Sequence, residues 1–92
     1  VPVPGDARWQ SAVADELSAE SARNRLSTRD LAGLVGVTPT TMRRYLNGSR
    51  GVPWRVLELM CDTFGVKVAD VVARAEERLQ SAQQEAPPAP LR

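Results

Sequence analysis

The segment Leu26–Gly48, LSTRDLAGLVGVTPTTMRRYLNG, spells out two short helices joined by a tight turn. Ser27 is an N-cap residue type, and Leu31, Ala32 and Val35 follow at i, i+1, i+4 spacing, which predicts a first helix over Thr28–Val35. Gly36 directly follows the last apolar position and can take the left-handed conformation that closes a helix, with Val37 plugging the corner. Thr38 caps the next helix, and Pro39 sits at the first helical position, where a missing N–H is harmless. Met42 and Tyr45 continue the apolar stripe, and Asn47-Gly48 ends it. Thr40, Thr41, Arg43 and Arg44 fall between the stripe positions and must point away from the core. That polar, basic outer face is the expected functional surface.

Charge is concentrated on the same unit. The 92-residue chain has a net charge of only +1. Residues 21–55, however, contain Arg23, Arg25, Arg29, Arg43, Arg44, Arg50 and Arg55 against Asp30 alone, while the flanking stretches are net acidic. Every cation in that window is arginine, whose planar fork matches phosphates and guanine edges. A local positive field on a near-neutral chain suits a polyanion reader without indiscriminate binding.

These residues carry a resemblance to a known family. Leu31, Ala32, Val35, Gly36, Val37, Met42 and Tyr45 agree in register with the bacterial helix-turn-helix signature. They are followed by NGSRGVP and an apolar helix ending in FGV. The whole is similar to the Cro/lambda-repressor-like (XRE) family over roughly Leu17–Val72. The resemblance implies an all-α, compact, lambda-repressor-like bundle of about five short helices, with an extended C-terminal helix. It also implies sequence-specific binding of double-stranded DNA and transcriptional regulation, with repression by occupancy as the expected outcome. Helix 39–47 is then the recognition helix in the major groove.

Residue by residue, the family's base-reading positions fall on Thr38, Pro39, Thr40, Thr41, Arg43 and Arg44. The two arginines are the candidates for guanine O6 and N7, and the threonines offer methyls and hydroxyls. Phosphate candidates are Thr28 and Arg29 at the start of the first motif helix, Arg50 in the following loop, and Arg55. Many relatives pair an arginine late in the first helix with a glutamate late in the recognition helix. The matching positions here are Ser21 and Leu46, so both partners are missing together, which leaves no unpaired charge behind.

The remaining chain is read around this motif. Val1–Gly5 is expected to be a disordered lead-in, and the first residue is not methionine, which reads as a processed or trimmed chain. Residues 6–84 form the DNA-binding domain, with the motif at 28–47. A first helix runs over about 6–23, capped by Asp6, with a thin stripe of Trp9, Val13 and Leu17. Glu20 and Ser21 fall where a large apolar or long basic residue would be expected. Pro53 opens a fourth helix that ends at Phe64 and carries Trp54, Leu57, Met60, Cys61 and Phe64 on one face. A fifth helix reaches about Gln84 with Val71, Val72, Ala75 and Leu79 as its stripe, and only its first turn or two should meet the core. The rest of it reads either as a solvated extension laced by Arg74, Glu77 and Arg78 or as a homodimer contact through Val72, Ala75 and Leu79, helped by Leu59. The tail 85–92, EAPPAPLR, is proline-rich and incompatible with a helix.

Several function classes are excluded or disfavoured. With no histidine and one cysteine, the usual structural zinc sites, an intrachain disulfide and histidine-based catalysis are unavailable. No cofactor, metal or small-molecule ligand is expected, and no enzymatic activity. No apolar run is long enough for a membrane span, and the N-terminus lacks the pattern of a signal peptide, so a cytoplasmic setting in a bacterial cell or phage-infected host is expected. Two alternatives remain open: an antitoxin-like protein-interaction module with autoregulatory DNA binding, and the DNA-binding end of a larger phage repressor or recombination factor.

Overall fold

The computed structural model describes residues 7–84, which form five helices and, among those residues, no strand. They are α1 (Ala7–Arg23), α2 (Thr28–Val35), α3 (Pro39–Leu46), α4 (Trp54–Phe64) and α5 (Val68–Gln84). The all-helical expectation holds. The readings made for residues 1–6 and 85–92 lie outside the described residues.

Local signals set the helix ends. Ser27 Oγ accepts the Asp30 N–H at 3.0 Å while the Asp30 carboxylate accepts the Ser27 N–H at 3.4 Å, a reciprocal capping box. Thr38 Oγ1 accepts the Thr41 N–H at 3.1 Å ahead of Pro39. Three helices close the same way at their C-termini. The Leu26, Val37 and Val66 N–H groups return to the carbonyls of Ser21, Ala32 and Cys61 at 3.0 Å each. The residue before each of these donors is left-handed: Arg25, Gly36 and Gly65, at φ 55°, 88° and 73°. Two of the three are glycines, and Arg25 adopts the same turn without a glycine's freedom.

The core is built from all five helices. Leu17 from α1, Leu31 and Ala32 from α2, Met42 and Tyr45 from α3, Leu57, Met60, Cys61 and Phe64 from α4, and Val71 and Ala75 from α5 are buried together. Ala12 and Val13 of α1 extend this cluster, and Val66, between α4 and α5, and Val68, the first residue of α5, pack against it. Burial of Cys61 pushes its thiol up to about 11, with the negative charges of Asp62 and Glu20 adding to the effect.

Three sequence expectations require correction. Trp54 does not join the apolar face of α4: burial on that helix begins at Leu57, and the indole in the first turn is 61% exposed. α5 is not engaged only by its first turns, because Val71 and Ala75 are fully buried and Leu79 still packs against the core. Arg74 and Arg78 do not form a solvated ladder within α5. Arg74 reaches Glu20 at 2.8 Å and Arg78 reaches Glu16 at 3.0 Å, so both bridge to α1.

Those two pairs fix the relation of the longest helices. Glu16 and Glu20 are one turn apart on α1, as are Arg74 and Arg78 on α5, and the pairing runs in opposite directions. The helices are therefore antiparallel. The glutamate side chains are nearly buried, at 5% and 6% exposed, while the arginines remain about half in water. Glu20 also pairs with Arg23. Glu20, which looked misplaced on a thin apolar stripe, thus joins Glu16 in holding α5 against α1.

Candidate nucleic-acid interface

α3 presents its faces by helical geometry. Met42 and Tyr45 are buried and define the inner side. With 100° between successive residues, Thr40, Arg43 and Arg44 lie on the side away from them. All three are exposed, as are Thr38 and Pro39, while Thr41 is half-buried at the flank. Five of the six expected base-reading residues divide into two groups, and the sixth, Pro39, is the exposed first residue of α3. Thr38 and Thr41 are joined to each other, with the Thr38 hydroxyl donating to Thr41 Oγ1 at 3.0 Å and accepting the Thr41 N–H. Their hydroxyls shape the helix start. Thr40, Arg43 and Arg44 carry the outward face.

The start of α2 offers less than four free donors. Its capping box occupies the Ser27 and Asp30 N–H groups, leaving the Thr28 and Arg29 N–H groups as the unpaired pair at the helix entrance. Thr28 is half-buried and the Arg29 side chain is exposed. The Asp30 carboxylate in this first turn is a role the sequence reading did not assign. Its signal was present as Ser27-x-x-Asp30, a capping-box variant with the shorter acid.

Behind α3, the loop to α4 is anchored at several points. The Arg50 N–H returns to the Arg44 carbonyl at 3.3 Å, and the Arg50 guanidinium carbon stands 5.9 Å from the Tyr45 ring centroid. Gly48 is left-handed at φ 80°, and a Cβ there would meet Ser11 Cα at 3.3 Å, so the loop lies directly on α1. Asn47 Oδ1 accepts the Ser49 N–H at 2.9 Å and also the Ser49 hydroxyl. Arg50 and Arg55 are both exposed on either side of this segment's end.

The end of α3 is tied to α1 by one bond that the sequence reading missed. Ser18 Oγ donates to the Leu46 carbonyl at 2.9 Å. Position 46 is where the resemblance expected half of a charged pair. The tie between first helix and recognition helix is present, but it is made by a neutral hydroxyl to a backbone oxygen three residues before Ser21. Ser21 Oγ instead donates to the Leu26 carbonyl at 2.8 Å. No side-chain pattern marks a hydroxyl-to-carbonyl bond across 28 residues.

Arg23 turns away from the expected field by pairing with Glu20. Of the four dimer candidates, Leu59 is 37% exposed, Val72 and Leu79 are half-buried, and Ala75 is fully buried in its own chain's core. Ala75 therefore has no surface to offer a second copy. Among the described residues no group of three or more His, Cys, Asp or Glu side chains could hold a metal, and no helix is long and apolar enough to cross a membrane.

Comparison with known proteins agrees with this architecture. Residues 12–75 match the family model of a helix-turn-helix domain. Among solved structures, the chain is similar to the clp gene regulator ClgR from Corynebacterium glutamicum, at 28% identity and a TM-score of 0.75, covering 84% of each chain. A second structure of that regulator aligns at 24% identity and a TM-score of 0.71, over 85% of this chain and 95% of the other, a likeness of fold. No curated protein sequence matches the chain.

Proposed function

Because the chain belongs to the helix-turn-helix domain family, we propose that it binds double-stranded DNA at specific sites and regulates transcription by occupying them, with repression as the direct consequence. The observation that carries this reading is the outward face of α3, where Thr40, Arg43 and Arg44 stand exposed over the buried Met42 and Tyr45. A helix of this kind enters the major groove with its first turns against the base edges. Arg43 and Arg44 read guanine through O6 and N7, Thr40 and Pro39 contact thymine methyls, and Thr38 and Thr41 add methyl contacts while holding the helix start.

Positioning on the backbone falls to Thr28 and Arg29, whose N–H groups face an incoming phosphate, and to Arg50 and Arg55. Two-fold sites favour a homodimer. Its contact is assigned to Leu59 and Val72, with Leu79 at the edge. The similarity to a solved gene regulator supports the regulatory role. The protein acts by occupancy in the cytoplasm, without cofactor, metal or catalytic step.

Selection of binding sites from a random duplex library, repeated at two salt concentrations, tests the proposal. An enriched motif is the expected result, and half-sites about one helical turn apart would identify a two-fold dimer. Binding without enrichment that disappears as salt rises would mean that the arginines serve only the backbone, and the base-reading roles would be withdrawn.

A further inference from the structure

The largest apolar side chain left in water is Trp54, 61% exposed at the first turn of α4. Its exposure is not explained by the fold. The apolar face of α4 is buried from Leu57 onward without it, and the loop leading to it is anchored, with Arg50 bonded back to Arg44 and Gly48 and Gly51 close against α1. The indole is therefore mostly in water beside a loop tied to both α3 and α1.

Its surroundings distinguish between occupants. Arg50 and Arg55 are exposed on either side of it in sequence, and both follow the basic face of α3. A two-fold contact between copies through this patch would set one basic surface against an identical basic surface, because both subunits present the same patch. A polyanion does the opposite and gains from both charges. Indole also has the right chemistry for a duplex backbone: an apolar face for deoxyribose and one N–H that can only donate, which suits a phosphate oxygen.

We propose that Trp54 is a DNA-backbone contact, with its ring against the sugar-phosphate chain beside the groove that α3 enters and flanked by Arg50 and Arg55. The inference rests on the DNA-binding reading above and extends it to an apolar residue. Because sugar and phosphate carry no sequence, the contact strengthens binding to every duplex equally. It also makes Trp54 an intrinsic reporter of the bound state.

The test uses the whole chain with Trp9→Phe, so that Trp54 is the only indole, and a short dye-labelled duplex of mixed sequence at low salt. Dye anisotropy reports DNA binding independently of tryptophan. The expected result is that acrylamide quenching of Trp54 falls as the duplex saturates, and that Trp54→Ala in the otherwise unchanged chain weakens binding about fivefold or more for all sequences. Circular dichroism confirms that each variant is folded, and Trp54→Phe, which keeps the ring, retains most of the affinity. Saturation by anisotropy with Trp54 still fully open to quencher, and unchanged affinity in Trp54→Ala, would overturn the contact while leaving DNA binding intact. Absence of any duplex binding would remove both readings. Protection of Trp54 that depends on protein concentration without DNA would assign the patch to a second copy.

Discussion

At the scale of single residues, the chain separates side chains that shape the motif from those that face outward. Arg25 belongs to the first kind, as it sits in the left-handed region at φ 55° in a turn that glycine makes elsewhere in the same protein. Arg25→Gly should therefore stabilise the fold by about 0.5–1 kcal/mol, while Arg25→Ala should give no gain, as measured by urea denaturation. Arg44 and Arg50 belong to the second kind and differ in what they are proposed to read. Arg44→Ala should lose about 1–3 kcal/mol of discrimination between preferred and scrambled sites. Arg50→Ala should weaken all duplexes alike and reduce the salt slope by about 1. Equal losses on every sequence for both variants would remove the base-reading role of Arg44. The outward residues were legible beforehand because a helix of known start assigns each side chain an angle, and Ser27, Thr38 and Pro39 announce where α2 and α3 begin.

At the scale of elements, the informative pair is α1 with α5. Glu16 has Arg78 as its ion-pair partner, whereas Glu20 has both Arg74 and Arg23. Removing one partner therefore leaves different situations. Arg78→Ala leaves the nearly buried Glu16 carboxylate without a cation and should cost about 1–3 kcal/mol in chemical denaturation. Arg74→Ala leaves Glu20 with Arg23 and should cost less than about 1 kcal/mol, as expected for half-exposed arginines in water. Equal losses would show that the register of α5 does not depend on these bridges. This arrangement was not legible in the sequence. Spacing within α5 placed Arg74, Glu77 and Arg78 near one another, but a partner on a helix more than 50 residues away has no local signature. The same limit applies to Ser18, whose hydroxyl fixes the end of α3 through a backbone carbonyl.

At the scale of the whole molecule, Cys61 reports the integrity of the fold, since it is buried in the core to which all five helices contribute. Its folded thiol titrates at about 11 against an ordinary value of 9.0. A raised folded value means that the stability it contributes is fully present below about pH 9 and is lost as pH rises through about 11. Between those limits the native protein should lose on the order of 2 kcal/mol more than Cys61→Ala, measured as the difference between their denaturation curves across pH. At neutral pH, alkylation of Cys61 should be slow and track unfolding. The sequence by itself determined the helices, their ends and the outward face of α3, because caps, left-handed turns and the 3.6-residue period are local and act wherever the chain lies. Only the tertiary structure decided that Trp54 stays in water, that Ala75 is closed to a partner, and that Glu16 and Glu20 hold α5. Burial and charge pairing belong to two elements at once, and the distance between elements is set by the packing of all five helices together.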